Sequence, residues 1–532
     1  MNKRWWPLVI LSMAQFLMVL DQSVMNVSIS QLVEDFDTDV TSIQAAITLY
    51  ALVMAMLMLT GGKLGDIWGR RRAFVIGLGI YSVGSALTAV SWSVGSLIVG
   101  WSVLEGIGAA LVLPALVALV AGNYEGRDRI TAYGVIGGVA GAGIAVGPIL
   151  GGWVTTNLTW RLVFVGEVAL AIAIILLAGR IVDSVVEGRK PNLDWVGSVL
   201  SASGLGLIVL GVLSASSWGW LEPRNSPVEP LGFSLTPFVV LAGFGFLWLF
   251  RRWEQRRESR GEDPLVRLGL FQNRPLTAGL KTFLAQNTIL LGVFFTIPLY
   301  LQIVLGYDAF ETGVRMLPIS LAMFVTSASG PKLAARWSPR GIVRTGFVFL
   351  VVAVVAMLGT IEPSLDGVVF TLALTLLGIG MGLIASQLGN VVQSAVEPAD
   401  RSEAGGLQWT SQQLGSALGT ALIGAIVIGG LVNSFLDNVQ ADERVPAQVA
   451  AEVETALTGD VSFVPSDEVA AGLEKSGLDE ETSTAVIDGY EDAQLEALRV
   501  GLFAAAVIAL GALLLTSDLP SGRPKETESA RE

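Results

Sequence analysis

The sequence predicts an all-α integral membrane protein of fourteen transmembrane helices, built as two six-helix bundles with two further helices inserted between them. Three observations carry that expectation. The 532 residues are 52% hydrophobic and 15% charged, with a mean hydropathy of +0.64, a balance foreign to soluble domains. Apolar runs of roughly 17–25 residues, long enough to cross a bilayer, recur from end to end. Basic residues crowd into every second loop, as they do when alternate loops face the cytoplasm.

The runs lie at about 7–28, 43–62, 73–92, 96–121, 130–154, 161–181, 195–215, 235–250, 277–300, 313–331, 342–361, 367–390, 405–432 and 498–516. The eighth is the shortest. Arg70, Arg71 and Arg72 follow the second run, Arg127 and Arg129 the fourth, and Arg180, Arg189 and Lys190 the sixth. Arg251, Arg252, Arg256, Arg257, Arg260 and Arg267 follow the eighth, and Lys332, Arg336, Arg340 and Arg344 the tenth. Intervening loops such as 34–37 and 307–311 are acidic. The alternation implies a multi-pass plasma-membrane protein with both termini cytoplasmic. The first run is long and broken by polar residues, so it reads as an uncleaved helix and not as a signal peptide.

Residues 1–182 should form the N-terminal six-helix bundle, 183–250 the two additional helices, and 251–274 a basic cytoplasmic linker. Residues 275–436 should hold helices 9–13, 437–496 an acidic extracytoplasmic loop, 497–518 the last helix, and 519–532 a disordered tail. The linker's Arg-Arg-Trp-Glu-Gln-Arg-Arg at 251–257 has the charge spacing of a helix lying on anionic lipid. The acidic loop has helix-like stretches at 447–457 and 467–473 but few large apolar residues, so a partly ordered cap without a solid core is expected. Much of the acid behind the net charge of −13 lies in that loop. The charge therefore signals no nucleic-acid partner.

An internal repeat supports two bundles. PKLAARWSPR at 331–340 aligns with GKLGDIWGRR at 62–71, keeping Lys-Leu and Trp and losing the aspartate. LGIGMG at 377–382 aligns at nearly the same offset with EGIGAA at 105–110. Related bundles in one chain place a solute route between them.

The chain has no cysteine and no histidine, which excludes disulfides and thiolate chemistry and leaves any proton relay to carboxylates. Gly61-Gly62-Lys63 continues into Leu64, so no phosphate-cradling loop forms. No cofactor, metal or catalytic constellation is expected, and an ion gradient is the expected energy source.

Three strings carry chemistry. Residues 62–72, GKLGDIWGRRR, wedge a glycine-rich basic loop between the second and third runs. A basic loop alone is an orientation signal. Residues 143–152, GIAVGPILGG, combine small residues with Pro148, which removes a helix hydrogen bond and permits a kinked, close crossing. Alone they are a packing motif. In the first run, LDQSVMNV at 20–27 places Asp21 in hydrocarbon, a cost borne only where a wet cavity or a partner receives it.

Together these strings resemble the major facilitator superfamily of transporters. The pattern G-x-L-x-D-x-x-G-R-R-R resembles its signature between helices 2 and 3, and G-x3-G-P-x2-G-G a fifth-helix pattern associated with exporters. The first-helix string is similar to that of the fourteen-helix drug:proton antiporter group, as are 160–164 and 406–419; the resemblance spans roughly 5–435 and 498–516. It implies a cytoplasmic gate of Gly62, Asp66, Gly69, Arg70 and Arg71. It also implies an antiporter motif of Gly143, Gly147, Pro148, Gly151 and Gly152, a key role for Asp21, and bundles that rock about a central cavity.

The departures are informative. The family usually has arginine where Trp101 and Gln412 stand, glutamine at Glu105 and asparagine at Glu167. Two buried cations are gone and two acids have appeared. Counting from the outer helix ends, Asp21, Glu105 and Glu167 all lie roughly 10–14 Å deep at 1.5 Å per residue. Acids at a common depth can share protons. Asp21 and Glu105 are the expected proton or cation sites, with Glu167 a structural partner of Arg161. Asn26, Trp101, Gln286, Asn287 and Gln408 are candidate cavity residues, each also able to serve as a helix-helix hydrogen bond.

The expected function is proton-coupled export of lipophilic, cationic or neutral small molecules by a monomer whose partners are the bilayer, its substrate and protons. Export of a specific endogenous metabolite or lipid is the alternative. A non-transporting receptor would leave the intramembrane acids without a use.

Overall fold

The computed structural model describes residues 3–38, 40–183, 192–223, 226–457, 463–476 and 478–522, and every regular element among them is a helix. The N-terminal bundle comprises α1 (Trp6–Val27), α2 (Val40–Trp68), α3 (Arg70–Ala89), α4 (Val94–Asn123), α5 (Gly126–Asn157) and α6 (Arg161–Leu177). Then come α7 (Trp195–Trp218) and α8 (Thr236–Ser259). The second bundle holds α9 (Arg274–Val304), α10 (Ala309–Ala328), α11 (Pro339–Leu358), α12 (Gly367–Ser394), α13 (Arg401–Ala441) and α14 (Glu480–Leu515).

Among the described residues twelve helices are long and apolar enough to cross a membrane. The expected fourteen spans would also need α8 and α10. Those helices form, with 24 and 20 residues, but α8 ends in a run of arginines and α10 carries Glu311 and Arg315. The composition of each, not its length, separates it from the others.

Local chemistry sets the helix ends. Asn273, Asp308, Ser338, Asp366 and Asp479 each accept a backbone N–H at the start of α9, α10, α11, α12 and α14, satisfying donors that a helix start leaves open. Gly69 separates α2 from α3 with φ +94°, a conformation open to glycine and strained for other residues.

The aligned repeat positions make matching contacts. Gly108 packs on the Gly77 carbonyl and Tyr81, and Gly380 on the Gly346 carbonyl and Leu350. The bundles meet where α5 crosses α10, with Ser327 Oγ donating to the Gly134 carbonyl at 2.7 Å, and where α2 meets α13. The α7–α8 pair covers that second seam: Ile208, Val209 and Val212 share an apolar cluster with Ala55 of α2 and with Ala417 and Ala421 of α13.

Three peripheral expectations need revising. Residues 251–259 continue α8 without a break, because no glycine or proline interrupts them before Gly261. The rest of the linker docks on protein: Leu265 and Val266 are buried, Arg267 pairs with Asp400 at 2.9 Å, and its N–H donates to Glu403. The acidic loop does have a core. α13 and α14 run for 41 and 36 residues, well beyond the roughly 20 that a bilayer needs, and short helices Ala447–Leu457 and Ser466–Ser476 lie between them. Tyr490 packs edge-on against Phe435 at 5.2 Å and donates to the Val464 carbonyl at 3.0 Å, over buried Val439, Val445 and Val486. Its apolar residues are few but come from four helices at once. Of the expected tail, Leu519 is buried and its carbonyl accepts from Arg340 Nε at 2.7 Å, while 523–532 lie outside the described residues.

Two predictions follow from this packing. A Cβ at Gly378 would stand 2.1 Å from the Ile319 carbonyl oxygen, whereas one at Gly245 meets nothing. Gly378→Val should lower unfolding stability by about 1–3 kcal/mol and Gly245→Val should not, as read by thermal unfolding in detergent. Beyond the apolar part of α8, burial and then the nearby Asp194 carboxylate push Glu254 from 4.5 up to about 8. The folded state therefore holds more protons than the unfolded state between those values, so stability falls as pH rises through that window. Glu254→Gln should flatten the decline in melting temperature measured from pH 5 to 8.

Candidate functional site

A cavity of about 290 Å³ lies between the bundles. Its polar lining is carboxamide: Gln15 and Gln22 from α1, Gln286 and Asn287 from α9, and Gln408, Gln412 and Gln413 from α13. Phe283, Phe294, Ile144 and Trp409 supply apolar wall, and among the described residues no Asp, Glu, Lys or Arg lines it. The carbonyl oxygens of Gln15, Gln286 and Gln408 are buried without a hydrogen-bond partner among the described residues, so they are free to accept from a solute. Gln286, Asn287 and Gln408 are where sequence reasoning placed them; the Asn26 side chain lies outside the described residues. Gln15, Gln22 and Gln413 were missed. The signal existed, since 15, 19 and 22 share a helix face, as do 408, 412 and 416.

The acids are elsewhere, inside the N-terminal bundle. Asp21 on α1, Glu105 on α4 and Glu167 on α6 each bring one carboxylate oxygen within 4.8 Å of the others, and all three side chains are buried. Trp101 Nε1 donates to Asp21 at 2.7 Å, Thr88 Oγ1 to Glu105 at 3.2 Å, and Tyr81 Oη to Glu167 at 2.9 Å. Ser85 Oγ adds a 3.2 Å bond to Glu167. Asp21 Oδ2, Glu105 Oε2 and Glu167 Oε1 have no hydrogen-bond partner, and no ion pair among the described residues reaches the three.

The local backbone explains the convergence. α4 widens into a π-helix from Ile98 to Glu105, a rare geometry that often marks functional positions. Gly84 and Gly100 let α3 press directly on that turn; a Cβ at Gly84 would meet the Gly100 carbonyl and Glu105 itself. Trp101 is accordingly no cavity wall. Its ring is buried, stacked on Tyr50 at 4.7 Å and 4°, and supplies an uncharged N–H where the resembled family usually has a cation. The expected Glu167–Arg161 pair does not form: Arg161 instead pairs with Asp35 at 2.5 Å, lies 4.4 Å over the Trp160 ring and donates to the Ser91 carbonyl.

The gate residues join the bundles on the face that carries the basic loops. Arg70 Nε donates to Ser402 Oγ at 2.8 Å and its NH2 to the Pro398 carbonyl at 2.6 Å, with Asp66 3.8 Å away. Arg71 stays within its own bundle, its N–H on Asp183 at 3.3 Å. Gly62 packs on Ser402 and Gly406. Arg129 donates to Asn390 at 2.9 Å, Arg401 to the Ala121 carbonyl at 2.9 Å, and Trp409 to the Leu113 carbonyl at 3.1 Å. These inter-bundle hydrogen bonds fall on the basic half. In the other motif Gly143, Gly147 and Gly151 face Val19, Ser23 and Val24 of α1. Gly152 is buried beside them, and the Pro148 side chain lies outside the described residues.

With this geometry in view, comparison with known proteins is informative. Residues 11–197 and 195–420 match the family model of the Major Facilitator Superfamily. The tetracenomycin C resistance and export protein of Streptomyces glaucescens is 30% identical over 509 residues, covering 95% of this chain and 91% of that one. The puromycin resistance protein of Streptomyces alboniger is 31% identical, covering 82% and 84%. The multidrug efflux pump LfrA of Mycolicibacterium smegmatis is 28% identical, covering 80% and 81%. Among solved structures, the human organic anion transporter MFSD10 aligns with a TM-score of 0.58 at 14% identity, covering 97% and 98%. The proton:xylose symporter XylE aligns at 0.55 and 11%, covering 92% and 98%. These two likenesses are of fold alone. The chain is a multi-pass membrane protein and belongs to the Major Facilitator Superfamily.

Proposed function

We propose that this protein is a proton-coupled exporter of lipophilic small molecules, monomeric, crossing the plasma membrane fourteen times with both termini in the cytoplasm. The observation that carries the reading is the separation of two sites: an uncharged, amide-lined cavity between the bundles, and beside it a nest of buried acids without a basic partner. Relatives whose names describe export of, or resistance to, tetracenomycin C and puromycin support the direction of transport. The basic loops support a cytoplasmic gate, and α8 and α10, at about 36 and 30 Å by helical rise, are long enough to complete the count.

The substrate enters from the cytoplasm while the Arg70 and Arg129 contacts are open, and its polar groups bond the carboxamides while its apolar body lies on Phe283, Phe294 and Trp409. The lining offers a cation no counter-charge, so neutral, hydrogen-bonding solutes fit it better than permanent cations. Protons arriving from outside neutralise Asp21 and Glu105. Asp21 adjoins Gln22 and Ser23, which line the cavity on the same turn of α1, so the state of the acids reaches the substrate through a rigid helix. The energy comes from the proton gradient, and no cofactor takes part.

Two measurements test this. In inverted vesicles an imposed proton gradient should drive uptake of a neutral lipophilic dye, and Asp21→Asn or Glu105→Gln should lower the gradient-dependent part roughly ten-fold or more, the scale of a coupling free energy of about 1–3 kcal/mol. Gradient-independent flux in the unmodified protein would refute proton coupling. The cytoplasmic gate can be locked in a chain that has no native cysteine. A Cβ at Gly65 would lie 3.8 Å from Ser402 Cβ, a spacing at which a disulfide closes without strain. Gly65→Cys with Ser402→Cys should cross-link on oxidation, abolish transport and recover on reduction.

A further inference from the structure

We propose that the nest formed by Asp21, Glu105 and Glu167 is a binding site for a hard divalent cation of Ca²⁺ size, a property separate from the transport reading and tested without a gradient. Three features point there. The ligand atoms are spaced for it: three oxygens within 4.8 Å of one another fall inside the roughly 4.6–5.2 Å that spans an ion bonding oxygen at about 2.3–2.6 Å. Mg²⁺ demands near-ideal octahedral geometry and gives up its water reluctantly, which suits a dry nest of side-chain oxygens poorly. The donor set is oxygen throughout, which selects hard cations over those that prefer nitrogen or sulfur.

The second feature is an unused valence. Every acid spends one oxygen on a neighbouring donor and leaves the other, Asp21 Oδ2, Glu105 Oε2 or Glu167 Oε1, without a partner. The neighbouring donors are Trp101, Thr88, Tyr81 and Ser85, which fix the carboxylates in orientation as outer partners of ligands do. The third feature comes from outside the acids. The Tyr50 hydroxyl, on a side chain only 2% exposed, lies against Asp21. It is a fourth oxygen available to the same ion. Among the described residues no Lys or Arg pairs with the nest, so up to three negative charges lack a counter-charge there, and a divalent ion answers that better than Na⁺ of similar size. Entry lies through the α1 wall, where Asp21 adjoins the cavity residues Gln22 and Ser23.

The test is equilibrium binding of radioactive Ca²⁺ to the purified full chain in detergent, with excess Na⁺ and Mg²⁺ present. One Ca²⁺ per chain is expected above the weak background of the acidic exterior loop. Asp21→Asn, Glu105→Gln and Glu167→Gln should each weaken it by more than the roughly 10–100-fold that loss of an outer-shell partner costs, while Glu480→Gln with Glu481→Gln leaves it unchanged. Tb³⁺ gives a readout independent of folding: bound beside Trp101 it should luminesce on indole excitation, and Ca²⁺ should quench that signal by displacement. Trp101→Phe should abolish that signal and weaken Ca²⁺ binding by only roughly 10–100-fold, as loss of an outer partner does. No saturable Ca²⁺ binding, or binding that survives the triple substitution, overturns the proposal and leaves the nest to protons alone.

Discussion

Three carboxylates held within 4.8 Å inside an apolar bundle are an unstable arrangement unless something takes up their charge, and the rest of the molecule is arranged around that constraint. Each acid is steadied by uncharged donors only, so the bundle contributes hydrogen bonds and no counter-ion. An internal arginine would have paired with one acid permanently. The indole N–H of Trp101 fixes the orientation of Asp21 and leaves its charge to be answered from outside the protein. Desolvated carboxylates of this kind respond to cations and protons far more strongly than acids at a surface.

Closure on the basic face follows a different logic. Arg70 and Arg401 reach across to the Pro398 and Ala121 carbonyls, and Arg129 to the Asn390 amide, all uncharged acceptors. A charge-assisted bond of this kind is worth about 1.5–3 kcal/mol, and water can replace it when the gate opens. A gate built from full ion pairs in a dry interface would bind harder and open more slowly. Glycines of α5 and α13 complete the closure by letting the bundles approach, as where Gly134 meets the Ser327 carbonyl and Gly405 the Pro114 carbonyl. Such contacts depend on shape and cost little to separate.

Most of the fold was legible in the sequence because membrane helices announce themselves by length, and loop charge gives their direction. The count was harder at α8 and α10, where charged and polar residues share the helix with apolar ones and no single threshold separates a span from a helix that ends in water. The acidic loop was underestimated because its core is shared. Phe435, Val464 and Tyr490 are far apart in the chain and meet only when α13 and α14 overrun the membrane together. At the site, depth along the helices could be counted, but rotation could not. Glu167 at the acids' depth was assigned to Arg161, since nothing in the sequence shows that α4 takes a π turn at 98–105 and swings Glu105 toward α6. On α13 Gln408 was named as a cavity candidate, but Gln412 was noted only for replacing an arginine and Gln413 was not named for the cavity, because glutamine in a membrane helix usually serves another helix.

In the proposed proton coupling, the separation of acids from cavity sets how the two events connect. A substrate and a proton that share one carboxylate exchange by direct competition, and the geometry of that carboxylate is enough. Here the cavity lining has no acid, so an event at Asp21 has to be carried to the solute by something that moves. α4 touches both through Glu105 and Val117, but α1 does so within one turn, presenting Asp21 to the nest and Gln22 and Ser23 to the cavity at three consecutive residues. Its far side is held by the glycines of α5: a Cβ at Gly147 would collide with Ser23 and one at Gly151 would press on Val24. The α1 side chains Val19, Ser23 and Val24 thus rest directly on α5 at Gly143, Gly147 and Gly151, and α5 in turn crosses α10 of the other bundle at Gly134. Under the proposed coupling, a change of charge at Asp21 reaches the bundle interface through these two closely packed helices, and a bulkier residue at Gly147 or Gly151 would have to push α1 away from α5.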